Sequence, residues 1–129
     1  MSTSILVIDD DTFMAKIVAL CLASCGDFQI IPAFDGAGGL RAAAQAVPDL
    51  VVLDFDLPDQ DGLAVLQALR RGPAALRVPV IAVTGALADL PRCAELVVES
   101  DAFLSKPLDF QALRRSVLQL LRRPAAVAA

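Results

Sequence analysis

Five short apolar runs, each followed by a stretch of helical periodicity, decide what this chain of 129 residues can fold into. The runs are Ile5–Asp9, Gln29–Phe34, Leu50–Asp54, Pro79–Thr84 and Phe103–Ser105. Leu50-Val51-Val52-Leu53, bounded by Pro48 and Pro58, reads as a strand buried on both faces. The spacing predicts helices over Thr12–Cys25, Gly36–Ala46, Gly62–Arg71, Ala88–Val98 and Asp109–Arg122. Asp35 and Asp61 are placed as N-caps, Gly26 and Gly72-Pro73 as stops, and Pro91 is tolerable only in a first turn. The first helix carries Phe13, Ile17, Leu20 and Cys21 on one face. The last has Phe110, Leu113, Val117, Leu120 and Leu121 as its buried stripe. Strands alternating with helices imply an α/β fold, a parallel sheet covered on both sides. Pro32 marks the second strand as an edge and the short fifth strand suits the other edge. With right-handed crossovers the expected fold is a doubly wound five-stranded sheet of order 2-1-3-4-5, its switch point between strands one and three.

The length fits one domain, expected over residues 1–123, with 124–129 as a disordered tail. The apolar fraction of 57% is broken by charges and prolines, so no run approaches the roughly 18 residues of a membrane span. No basic start leads into an apolar stretch, so no signal peptide is expected and the cytoplasm is the default location. Net charge is −4, and with only Lys16 and Lys106 as lysines the chain does not have the make-up of a nucleic-acid binder. The Arg pairs near the C-terminus suit the negative end of a helix. Three cysteines, Cys21, Cys25 and Cys93, form no CxxC, and there is no histidine. Disulfide frameworks, most zinc sites and histidine base chemistry are thereby disfavoured.

Thirteen of the fifteen acids are aspartates, a residue of caps, turns and sites rather than helix interiors. Asp54 ends the central strand, where open α/β sheets bind their ligands. Asp9 and Asp10 end the first strand, Thr84 the fourth, and Lys106 follows the fifth. Singly, each has an ordinary explanation as a cap, a turn residue or a surface lysine. Together they describe a site for a metal ion and a phosphoryl group. Mg²⁺ takes oxygen ligands, commonly one or two carboxylates plus phosphate oxygens. Asp10 and Asp54 supply carboxylates, the Asp56 backbone carbonyl is within reach of the same ion, and Asp9 acts through water or orients the others. Bringing a phosphoryl donor to an anionic carboxylate costs about 4 kcal/mol per close like-charge pair. A divalent ion and the Lys106 ammonium offset that repulsion, leaving Asp54 free to act as a nucleophile that forms an aspartyl phosphate. Thr84 donates to a phosphoryl oxygen, and Gly85 leaves room for the donor.

The motifs ILVIDD, VVLDFDLPDQDG, VIAVTG and FLSKP, in this order over about Ser4 to Leu121, resemble those of the receiver domain of bacterial two-component response regulators, above all the stand-alone chemotaxis type. The resemblance implies the flavodoxin-like fold already argued, with Asp54 as phosphoacceptor and Asp9 and Asp10 as the acidic pair. It implies Thr84 and Phe103 as switch residues, Lys106 as the site lysine, and a cis Lys106-Pro107 peptide. Mg²⁺ is the implied cofactor. A histidine kinase or histidine phosphotransfer protein is the implied phosphodonor, with output through an unidentified downstream protein and the chain as monomer or phosphorylation-dependent dimer. Phosphorylation and dephosphorylation are then self-catalysed, and the domain is not a metabolic enzyme.

Four departures stand out. Asp56 adds a carboxylate two residues past the acceptor. Phe103 replaces the commoner tyrosine, Glu99 stands where glycine is usual, and Ala86–Pro91 is unusual for the fourth helix. Two other readings remain open from the residues. Asp54-Phe55-Asp56 followed by VIAVTG also resembles haloacid-dehalogenase-type phosphatases, although there the paired acids follow the lysine. A receiver fold can also serve as an interaction module that works unphosphorylated.

Overall fold

The computed structural model describes residues 3–72 and 78–122. The strands are β1 (Thr3–Ile8), β2 (Phe28–Ala33), β3 (Leu50–Asp54), β4 (Val80–Thr84) and β5 (Ala102–Ser105). The helices are α1 (Met14–Leu22), α2 (Gly36–Gln45), α3 (Gly62–Arg71), α4 (Pro91–Glu99) and α5 (Phe110–Leu121). All neighbouring strands pair in parallel, in the order β2-β1-β3-β4-β5. This is the doubly wound order expected from the edge signals. Pro32, which has no N–H to donate, sits in the edge strand β2 opposite Val7. The expected tail 124–129 and Pro73 of the helix stop lie outside the described residues.

Side chains alternate across the sheet and so build two cores. Leu6, Ile8, Val51, Leu53, Val80 and Ala82 face α2, α3 and α4, meeting Ala43, Leu63, Leu66 and Leu96. Ile5, Val7, Leu50, Val52, Ile81 and Val83 face α1 and α5, meeting Met14, Val18, Leu113 and Val117. Every residue of β3 and β4 is buried. That double coverage is why these strands read as unbroken apolar runs. Their tips are held in register, Ile8 opposite Leu53, Asp54 opposite Val83 and Thr84 opposite Ser105.

Three expectations need correction. The packed face of α1 is Met14, Val18, Cys21 and Leu22. Of the four residues grouped from sequence only Cys21 is buried, while Phe13 and Leu20 are 63% and 78% exposed. Two apolar stripes run along this helix, and periodicity alone does not say which meets the sheet. Phe110, expected in the α5 stripe, is exposed because it is the first residue of the helix and stands beyond the packed turn. The fourth helix begins at Pro91 rather than Ala88. The proline ring disfavours the helical region for the residue before it, and Leu90 is accordingly extended at φ −69°, ψ 138°. Residues 85–90 form successive turns instead, with Ala88 N–H donating to Gly85 O and Leu90 N–H to Leu87 O, both at 3.1 Å.

Candidate functional site

The polar residues that end the strands gather at the C-terminal edge of the sheet. Asp9, Asp54 and Thr84 are the buried polar side chains among the described residues, 3%, 3% and 5% exposed. Asp9 follows β1 directly, its backbone N–H held by Ala33 O at 3.0 Å. One of its oxygens accepts from the Asp11 N–H at 2.8 Å. Asp10 is exposed beside it. One carboxylate oxygen each from Asp9, Asp10 and Asp54 lie within 4.8 Å of one another. Lys106 reaches this cluster from past β5, where its N–H donates to Thr84 O at 2.7 Å. Its ammonium stands 3.4 Å from Asp54 Oδ2 and 3.5 Å from Asp9 Oδ2. The Lys106-Pro107 peptide is cis.

The electrostatics follow from burial. Asp54 is pushed up to about 6, first by loss of water and then by the Asp9 charge. Lys106 and the Asp56 backbone N–H pull the other way without cancelling the rise. Asp9 is raised as well, burial again outweighing the Asp11 N–H and Lys106. Burial lowers Lys106, but the Asp54 and Asp9 carboxylates more than reverse this, so the lysine stays charged. Three carboxylates and one ammonium leave a formal charge of −2 at the cluster, which one divalent cation would cancel. Asp9 Oδ2 is buried with no donor in reach among the described residues except the ammonium 3.5 Å away. A buried carboxylate oxygen left so poorly satisfied is costly, and it fits a site built for a cation.

The remaining candidates lie around this cluster. Thr84 is buried at the tip of β4, between β3, which ends in Asp54, and β5, which Lys106 follows. Gly85 lies against the Lys106 side chain, with 3.6 Å from an ideal Cβ to Lys106 Cδ. Asp56 is exposed and its backbone bridges to Asp61. Phe103 is 57% exposed on β5.

The family model of the response regulator receiver domain matches residues 5–118. This chain belongs to that family. Receiver domains are the signalling domains of two-component systems, and the match sets aside the haloacid-dehalogenase reading. The chain is 35% identical to the DNA-binding dual master transcriptional regulator RpaA of Synechocystis, over 92% of its own length and 49% of the relative. It is also 35% identical to the transcriptional regulatory protein KdpE of Mycobacterium tuberculosis, over 98% of its length and 54% of the relative. It thus spans about half the length of these regulators. Among solved structures it is similar to the receiver domain of the sensor histidine kinase PA1611 from Pseudomonas aeruginosa, which has a magnesium ion coordinated in its active-site cleft. That likeness has a TM-score of 0.83 at 24% identity, covering 95% of this chain and all of the other.

The receiver domain carries a further contact that the sequence did not announce. Asp61 caps α3, accepting from the Ala64 N–H at 2.9 Å, and the same carboxylate takes a two-pronged contact from Arg92 of α4. The outer prong, Arg92 Nη2 to Asp61 Oδ1, measures 3.0 Å. Arg92, then burial working against it, then the Ala64 N–H set the Asp61 carboxyl, which ends below its ordinary range. Arg92→Ala is expected to destabilise the domain only slightly, since the Arg92 side chain is 54% exposed. Asp61→Ala also removes the cap and is expected to cost about 1–2 kcal/mol. Because the folded-state pKa is depressed, both contributions are present above the unfolded value and fade as pH falls through the folded one. Urea melts of the two variants at pH 7 and pH 3 check the ranking and its loss in acid.

Proposed function

We propose that this receiver domain is the phosphoacceptor of a two-component phosphorelay, modified on Asp54. The observation that carries this reading is the Lys106 ammonium set between Asp54 and Asp9, beside three converging carboxylates. Asp54, Asp9, Asp10 and the Asp56 backbone carbonyl would hold Mg²⁺, which when bound neutralises charge on the carboxylates and on a phosphoryl group. At pH 7 Asp54 is mainly ionised, its pKa being about 6. A carboxylate oxygen attacks phosphorus as the bond from phosphorus to the donor's imidazole nitrogen breaks, and the leaving imidazole keeps that electron pair. Lys106 stabilises the charge on the phosphoryl oxygens, and Thr84 donates to one of them. The donor is a histidine kinase or a histidine phosphotransfer protein, in the cytoplasm.

The aspartyl phosphate then draws Thr84 inward and Phe103 follows from its exposed position. The face made by α4, β5 and α5 changes shape and is read by a partner protein. This is a shift between two populations rather than the making of a new fold. Hydrolysis is self-catalysed in the same cleft.

Incubation with acetyl phosphate and Mg²⁺ tests the reading by intact mass. One added phosphate is expected, and chelation of the metal should abolish it. A chain that gains no phosphate under either condition would instead be the unphosphorylated interaction module. Asp56→Asn is expected to change the decay rate of the phosphorylated form, since its carboxylate lies two residues from the acceptor. An unchanged decay, followed by mass over time, removes that role.

A further inference from the structure

The geometry points to Asp59 as a positioning residue for the metal site, a role that rests on the proposed phosphoacceptor function. The loop from Phe55 to Asp61 leaves the acceptor strand, turns, and returns to start α3. Its two arms are joined by the Asp56–Asp61 bridge and by Gly62 N–H donating to Phe55 O at 2.7 Å. Neither contact decides where the apex of the loop lies. Asp59 does. Its Oδ1 accepts from the Gly36 N–H at 2.7 Å and its Oδ2 from the Ala37 N–H at 2.9 Å. These are two of the backbone donors that the start of α2 leaves without a helical partner.

The helix already has its own cap, because Asp35 accepts from the Gly38 N–H at 2.6 Å. Asp59 therefore adds a second carboxylate to an end that is already served, from a residue 24 positions along the chain. Those two donors hold its carboxyl below the ordinary range. Gln60 completes the seat by lying over Gly36, where an ideal Cβ would stand 2.6 Å from Gln60 Cγ. The loop is thus pinned to α2 at its apex and to β4 at its base, where Phe55 N–H donates to Val83 O at 3.1 Å. Asp56 lies between these two anchors. Asp59 fixes the direction of the Asp56 carbonyl, the backbone ligand assigned to the ion, without touching the ion itself.

Mg²⁺ titration of the unphosphorylated protein, by calorimetry or amide NMR shifts, separates this role from a merely structural one. Asp59→Ala is expected to weaken Mg²⁺ binding about three- to tenfold. Asp59→Asn keeps only one of the two acceptors, because its amide nitrogen cannot accept from the second N–H, and is expected to bind Mg²⁺ with an affinity between those of the parent and Asp59→Ala. Asp49→Ala serves as control. Its Oδ2 accepts from the Ser4 N–H at 2.8 Å, an equivalent anchor away from the site. That variant is expected to melt lower with unchanged Mg²⁺ affinity. Equal affinity in the parent and Asp59→Ala overturns the role, and so does a difference between them that vanishes at high salt, which would assign the effect to charge. A parent chain that binds no Mg²⁺ overturns the metal reading itself along with this one.

Discussion

An Asp54→Asn variant is expected to take up no phosphate from acetyl phosphate and Mg²⁺, and to melt higher than the parent chain in metal-free buffer at pH 7. The first result follows from loss of the nucleophilic oxygen. The second follows from what the Asp54 charge costs. Its carboxyl is held at about 6 against an ordinary value of 3.8. Between those two values the folded chain binds more protons than the unfolded one, so the unfolding free energy falls as pH rises through that window. At pH 7 the loss is complete. At full weight such a displacement is roughly 3 kcal/mol. Water at the mouth of the cleft, where the Lys106 side chain is 35% exposed, screens it to roughly 1–2 kcal/mol. For a domain of this size that is a rise of about 3–10 °C in Tm.

Asp9 is raised by the same burial, so a shallower slope of the same sign survives in the variant. On the acid side the sign reverses. Asp59 and Asp61 have depressed values, so their contributions are present above the unfolded pKa and vanish as pH falls through the folded one. The metal-free parent is therefore expected to be most stable at about pH 4, where the contributions of Asp59 and Asp61 are present and the loss from Asp54 has only begun. Saturating Mg²⁺ should flatten the fall toward pH 7, because an ion bound only by the folded state adds stability there. Thermal melts at pH 5, 6 and 7, with Mg²⁺ and with chelator, check each part. A parent no less stable at pH 7 than at pH 5 without metal would contradict the burial argument, as would a variant that melts no higher.

The elements legible in the sequence are those whose environment is uniform. Leu50–Asp54 and Gly62–Arg71 coincide with β3 and α3 to the residue. One is apolar up to its final Asp54 because it is buried on both faces, and the other lies between an Asp cap and a Gly stop. The convergence of the strand-tip residues was legible for the same reason: a charge that ends an apolar run must leave the core at the edge of the sheet, whatever the helices do. What sequence did not reveal depends on distant neighbours. Choosing between the two stripes of α1 requires knowing how that helix is rolled on the sheet. Asp59 and Arg92 are ordinary polar residues until the start of α2 and the cap of α3 are found beside them. The start of α4 was recoverable, since Pro91 alone requires an extended Leu90.

Gly62→Ala is expected to destabilise the domain by about 1–3 kcal/mol, whereas Gly72→Ala is expected to stabilise it by about 0.4–1 kcal/mol. Both glycines bound the same helix, and neither has a positive φ, so the contrast comes from space. An ideal Cβ on Gly62 would stand 2.7 Å from Asp54 O and 2.8 Å from Phe55 Cα, with Leu96 Cδ2 at 3.1 Å. The first two are backbone atoms at the end of β3 and the start of the loop, held to β4 by the Asp54–Val83 pairing and the Phe55 N–H to Val83 O bond, so they cannot give way as the end of a flexible side chain would. Relief has to come from moving the start of α3 or the loop that carries Asp56. At Gly72 the nearest atoms to a Cβ are Ala68 O at 3.7 Å and Leu69 O at 3.8 Å, ordinary contact distances. There the methyl group restricts only the unfolded chain. Because the clash at Gly62 falls on the acceptor residue itself, Gly62→Ala is also expected to slow phosphate uptake, while Gly72→Ala leaves the rate unchanged. Urea melts give the opposite signs of stability, and acetyl phosphate uptake followed by intact mass gives the rates. Equal midpoints for the two variants would mean that β3 and α3 yield to the methyl group, and that the loop beside Asp54 is not held as tightly as its hydrogen bonds require.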